Sequence, residues 1–128
     1  MEKSQLKDIE FRESYILGWE VVDTKLILYL EFLLTDSHEA FTAFDPLLYY
    51  GCYKIGLIEF HEIRDLRGLK SQTQLPVWNE QLSEYIDLFE IESFELKEST
   101  MIIESDKSEI NCRFNKFRVT ILDLNKYS

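Results

Sequence analysis

Between Ser14 and Val22 large side chains recur at every second position: Tyr15, Leu17, Trp19 and Val21. A strand points alternate side chains to opposite faces, so this spacing predicts an extended segment with those four on one face. Asp23-Thr24 supplies a short turn. Lys25 to Leu34 follows, with Leu26, Leu28, Leu30, Phe32 and Leu34 on one face. The other face (Lys25, Ile27, Tyr29, Glu31, Leu33) is mixed, which predicts a strand near a sheet centre, partly covered on both sides. Two such strands joined by so short a turn read as an antiparallel hairpin.

The pattern then loosens. Asp36 and Glu39 have capping-box spacing and Pro46 blocks continuation of a helix, so Ser37 to Phe44 reads as a helical turn or a structured loop. Tyr49 to Phe60 is a third strand region, in which Gly51 and Gly56 mark a bulge or a close crossing. Ile63, Leu66 and Leu69 suit either one helical turn or a twisted strand continuation. Lys70 to Pro76 is a polar loop. Trp78, Leu82 and Tyr85 stand at i, i+4 and i+7, the spacing of a short amphipathic helix. The last third is extended again. Asp87 to Leu96 changes phase near Ser93, which predicts a bulge. Ser99 to Ser105 is apolar at its centre, Asp106-Lys107-Ser108 is a turn, and Asn115-Lys116 divides Glu109 to Leu122 by a bulge or a tight turn.

Sequential strands with short turns, and no βαβ alternation, predict a mainly β (β-rich α+β) fold. An antiparallel β-sandwich or open barrel of about six or seven strands, with one or two short helices, would bury these residues best. The 128 residues make one domain, 1–128, with no linker and only four glycines and two prolines.

Charge narrows the function classes. Asp plus Glu number 24 against 14 Lys plus Arg, a net of -10. That field repels phosphate backbones and argues against a nucleic-acid partner. Seven acids fall between Glu80 and Glu98 against Lys97 alone, whereas Arg113, Lys116 and Arg118 lie in the last strand region. Cross-strand charge pairing therefore predicts that the acidic strand (87–96) lies near the basic one (109–122) in one sheet. The acid run is either a solvated face or a docking surface for a basic protein. The N-terminus MEKSQLKDIEF has no apolar core of a signal peptide, and Leu26 to Leu34 is too short and too interrupted to span a bilayer. The expected compartment is the cytoplasm, with no membrane contact.

Candidate chemistry is sparse. Cys52 and Cys112, without CxxC spacing, read as reduced core residues. His38 lies near Asp36 and Glu39, and His61 precedes Glu62, but neither set has a ligand spacing, so no metal and no cofactor is expected. There is no GxSxG elbow, no GxGxxG and no GxxxxGK[ST]. The chain reads as more binding module than enzyme. Phe114 and Phe117 beside Arg113, Lys116 and Arg118 are the ingredients of a base-stacking platform, opposed by the overall charge. Tyr49 and Tyr50 stand at a loop–strand junction, where aromatic interface anchors are sought.

The segments SYILGWEVVDTKLILYLEF, GLIEF and IESFEL resemble small acidic bacterial proteins of unknown function, some of them immunity proteins of polymorphic toxin systems. The resemblance implies a protein that blocks a toxin by occluding a basic surface. The expected function is thus a non-catalytic protein-binding domain. Glu84, Asp87, Glu90, Glu92 and Glu95, with Tyr49 and Tyr50, are the expected partner-binding residues. The alternatives are a small-molecule-binding β-barrel or minor enzyme with a pocket between sheets, and an oligomeric structural component.

Overall fold

The computed structural model describes residues 2–47, 51–86 and 88–122. After a 3-10 turn at Glu2–Leu6 come eleven strands: β1 (Ile9–Val22), β2 (Lys25–Leu34), β3 (Cys52–His61), β4 (Arg64–Arg67), β5 (Thr73–Gln74), β6 (Val77–Asn79), β7 (Glu84–Ile86), β8 (Phe89–Lys97), β9 (Thr100–Ser105), β10 (Glu109–Arg113) and β11 (Lys116–Ile121). Seven of these have five residues or more, and they are the strands that the alternation predicts. Pairing is antiparallel throughout, in the order β11-β3-β2-β1-β8-β9-β10-β4, with β5 added beside β1.

The sheet curls without closing. β3 leads into β4 and β10 leads into β11, while β3 pairs β11 and β4 pairs β10. The same two stretches of chain therefore run side by side round a corner, where the Asn115 N–H donates to the His61 carbonyl at 2.9 Å. One face of the sheet encloses a single apolar cluster with contributions from every long strand, including Ile16, Phe32, Phe60, Ile91, Met101 and Ile110. β2 shows why. Its even-numbered side chains from Leu26 to Leu34 are all buried and its odd ones half-buried, the pattern of a central strand.

β1 departs from its apparent alternation. Tyr15 pairs with Glu31, Ile16 with Leu30 and Gly18 with Tyr29, so Leu17 is an extra residue on the β1 side. That bulge reverses the phase: Trp19 points inward opposite Leu28, whereas Tyr15 lies on the outer face. Tyr15 and Trp19 do not share a face, contrary to the sequence expectation. A second irregularity lies between Glu10 and Tyr15, with Glu13 at φ 76°. There the buried Ser14 hydroxyl replaces the lost ladder. It accepts from the Leu33 N–H at 2.9 Å and donates to the Glu10 carbonyl at 2.6 Å. Ser14→Ala should cost about 1–3 kcal/mol, because the Leu33 N–H loses its partner in a buried place. Chemical denaturation of the two proteins checks this.

Other expectations are corrected or resolved. Trp78, Leu82 and Tyr85 do not form a helix: β6 and β7 are a hairpin in which Trp78 opposes Tyr85. Residues 35–47 are a structured loop, and Arg64–Arg67 is a strand continuation. The bulge near Ser93 is present, with Ile91 opposite Ser105 and Ser93 opposite Glu104. Gly56 sits at a close crossing, since a Cβ there would meet the Thr120 carbonyl and lie 2.8 Å from the Phe32 ring. The acidic β8 and the basic β10 share a sheet but are not neighbours, because β9 lies between them, and β11 is at the far end. The outer edge of β11 is capped by Gln5, whose side-chain amide donates to the Phe117 carbonyl (3.3 Å) and accepts from the Val119 N–H (2.8 Å). Such a plug blunts an edge that would otherwise template foreign strands.

Candidate functional site

The bulge at Leu17 has a consequence for the outer surface. Tyr15 pairs with Glu31 on β2 and with Glu90 on β8. One transverse row therefore reads Glu90–Tyr15–Glu31–Ile55 across four strands. Cross-strand neighbours have Cβ atoms roughly 4.5–5.5 Å apart, so Glu90 and Glu31 flank the Tyr15 side chain on either side. The Tyr53 ring lies 6.1 Å from that of Tyr15, and its hydroxyl donates to the Glu13 carbonyl at 3.3 Å. Asp106 is brought in by a reciprocal clasp: its carboxylate accepts from the Glu90 N–H at 2.8 Å, and its own N–H donates to the Glu90 carbonyl at 3.0 Å. Lys107, next in the turn, lies over the Phe89 ring at 4.9 Å.

The Tyr15 phenol is held above its ordinary pKa of 10.0, first by burial and then by Glu90, Glu31, Glu13 and Asp106. Tyr29 is raised for related reasons, burial first and then its 3.0 Å hydrogen bond to Glu20. Burial pushes the Cys112 thiol from 9.0 up to about 12, which makes it an inert packing group at neutral pH. In these groups the folded state holds the proton more tightly than the unfolded chain. Their contribution to stability is complete below the ordinary values and is lost as pH rises through the raised ones. Thermal melts should therefore fall as pH rises from 9.0 towards about 12 for Cys112, and above 10.0 for Tyr15. Tyr15 should titrate above 10.0 by NMR, and Glu90→Gln should bring it down.

The other predicted site residues divide. Glu90, Glu92 and Glu95 are all exposed on β8. Glu92 is the extra residue of the bulge, and Glu95 faces outward opposite Ile102. Glu84 is exposed but belongs to the β6–β7 hairpin, not to this strand. Asp87, Tyr49 and Tyr50 lie outside the described residues. Glu104 was not foreseen: it stands opposite Ser93 on one side and Glu109 on the other, a directly opposed like-charge pair. Tyr15, Glu13, Glu31 and Asp106 were also missed as site residues. Their grouping depends on strand register, which no local motif encodes.

Positive charge gathers at the opposite end of the same sheet. Lys97, Thr100, Arg113 and Arg64 form one row across β8, β9, β10 and β4. Asp65, at φ 56°, is part of the irregularity that leaves both Arg64 and Arg67 exposed. Among the described residues Glu90, Glu92, Glu95 and Glu104 form no ion pair, whereas Lys25 pairs with Glu59 at 3.4 Å.

Phe114 and Phe117 are buried against Phe60, with ring centroids at 5.2 and 6.3 Å, and so offer no stacking platform to a base. His38 is used locally, its Nδ1 accepting from the Ala40 N–H at 3.0 Å. Among the described residues no group of three or more His, Cys, Asp or Glu converges as a metal site, and no helix is long and apolar enough to cross a membrane. A surface depression of ≈ 900 Å³ lies between the 3-10 turn, the 37–42 loop and β11, and it is polar and open. Two smaller ones of ≈ 410 and ≈ 470 Å³ surround Ile63 and Arg64. None of the three is lined by tyrosine or tryptophan. Comparison with protein-family models, curated proteins and solved structures gives no match.

Proposed function

We propose that this chain is a non-catalytic protein-binding domain that docks a basic partner through the outer face of β1, β2 and β8. The observation that carries this reading is the pairing of Tyr15 with Glu90, to whose backbone Asp106 is clasped, which sets two carboxylate side chains beside one aromatic ring on the outer face. Like charges set side by side cost stability in the free protein, and an incoming cation relieves that cost. A lysine or arginine side chain entering here would meet carboxylates and the Tyr15 and Tyr53 ring faces together. Glu92 and Glu95 continue the negative strip along β8.

An outer face of this charge suits an inhibitor that occludes a surface. An immunity-type protein masking the basic cleft of a nuclease-like toxin is the form of this reading we favour. Association driven in this way is fast and falls with ionic strength. The test is capture from a lysate of the source organism on the immobilised chain, at low and at high salt. A basic protein retained at low salt and released at high salt supports the reading. Recovery of no basic protein, or of one indifferent to salt, overturns it.

A further inference from the structure

Three of the five arginines of the chain stand together on β10 and on β4, the last strand in the sheet order. Arg64 pairs with Arg113, and Arg67 pairs with Asn111. The step from Asn111 to Arg113 is two residues and that from Arg64 to Arg67 is three, so β4 carries one extra residue. Leu66 packs against the core, which leaves Asp65, at φ 56°, as the bulge. In a regular strand two residues three apart face opposite sides. The bulge turns Arg64 and Arg67 to the same side, the outer face that Arg113 shares, and all three are exposed. Re-aiming a side chain at a sheet edge is a common use of such a bulge.

Arg64, Arg67, Arg113 and Asn111 therefore mark the corners of a small square, roughly 5 Å across the strands and roughly 7 Å along them. Its frame is fixed. Gly68, at φ 94°, lies so close to the Glu109 backbone that no side chain would fit, and the Ser108 hydroxyl donates to the Gly68 carbonyl at 2.9 Å. Setting Arg64 directly opposite Arg113 costs stability in the free protein. Among the described residues none of the three guanidinium groups forms an ion pair, although acids outnumber bases 24 to 14. Planar guanidinium forks match the oxygens of a phosphate group and bond it in pairs. The surrounding charge sets the size of the ligand. Glu109 and Glu104 oppose each other in the next row of the same face, and Glu95 ends the row of Arg67. A polyanion would run across these carboxylates, whereas a single tetrahedral anion stays within the arginines.

We infer that Arg64, Arg67 and Arg113 form a binding site for one phosphate group, taken as the dianion, either free or as the monoester of a small molecule. The net charge of -10 repels such a ligand at long range, and physiological salt screens that repulsion beyond roughly 8 Å. The site shares no residue with the acidic strip of β8, so it and the docking of a basic partner stand or fall separately.

The experiment is an NMR titration of the full chain at constant ionic strength with inorganic phosphate, methyl phosphate and sulfate, using chloride as the reference. Saturable shifts centred on the amides of β4 and β10 are the expected result. Methyl phosphate should bind more tightly at about pH 7 than at about pH 5, across its second ionisation near 6, while sulfate changes far less. Arg64→Gln, Arg67→Gln and Arg113→Gln should each weaken binding at least roughly tenfold, the scale of one lost charged hydrogen-bond pair. All three side chains are exposed, so thermal melts of the variants should match that of the parent. Tighter binding of methyl phosphate than of inorganic phosphate supports the site with a monoester as its ligand, and the reverse order supports it with free phosphate. Absence of a saturable response at β4 and β10 overturns the inference, as does a response that the Arg64→Gln, Arg113→Gln double variant retains in full.

Discussion

Phe60→Ala should destabilise the protein by about 3–5 kcal/mol, the range for deleting a large aromatic side chain from a packed core. Domains of this kind have total stabilities of about 5–15 kcal/mol, so the variant should be close to unfolding at body temperature. Phe60 is fully buried near the end of β3 and pairs with Leu26 on one side and Phe117 on the other. Its ring meets Phe114 edge-on, just past the end of β10. It therefore ties the corner where β3 passes into β4 and β10 passes into β11. Collapse of neighbours into the cavity is restricted, because Phe114 and Phe117 are themselves locked edge to face at 90°. Denaturant unfolding followed through Trp19 measures the loss. A cost below about 1.5 kcal/mol, the scale of a conservative core exchange, would mean that the corner is not packed as described.

Neutralising the β8 acids should have the largest effect on binding. A Glu90→Gln, Glu92→Gln, Glu95→Gln variant should bind a captured basic partner at least roughly 100-fold more weakly. Coupling across a close interfacial charge pair runs from about 1.5 to 7 kcal/mol, and two contacts at the low end already account for that factor. All three side chains are exposed, so the fold should tolerate the change. Its melting temperature should stay level or rise slightly, because like charges near Tyr15 and Glu104 are relieved. Salt dependence should also flatten, which separates loss of the electrostatic contact from loss of structure. Surface-plasmon or calorimetric titration at two ionic strengths makes the measurement.

Much of the fold was legible in the chain. The alternation from Lys25 to Leu34 defines β2 from its first residue to its last, because a central strand has one fully buried face to keep. The bulge at Ser93 was visible because Ile91 and Phe94 both need the interior. The bulge at Leu17 was not, since Tyr15, Leu17, Trp19 and Val21 alternate without a break. Only pairing with β2 shows that Leu17 is the extra residue. Trp78, Leu82 and Tyr85 fit a helical stripe, but Trp78 and Tyr85 equally fit opposite places on a hairpin, and three apolar positions cannot separate the two. The acidic β8 and the basic β10 share one sheet, as expected, but β9 separates them for a local reason. Short turns at Glu98-Ser99 and 106–108 make β8, β9 and β10 a meander, and connectivity outweighs weak surface charge pairing. On the site, Glu90, Glu92 and Glu95 could be named from the acid run. Tyr15, Glu31 and Asp106 come from three other parts of the chain and meet Glu90 only through register and a turn.

The most direct measurement is carboxylate footprinting of the complex with the captured partner, comparing labelling of free and bound chain at each acid. The account predicts strong protection of Glu90, Glu92 and Glu95, weaker protection of the half-buried Glu31, and no change at the exposed Glu39 and Glu62. Protection at Glu39 or Glu62 with the β8 acids still fully labelled would contradict it.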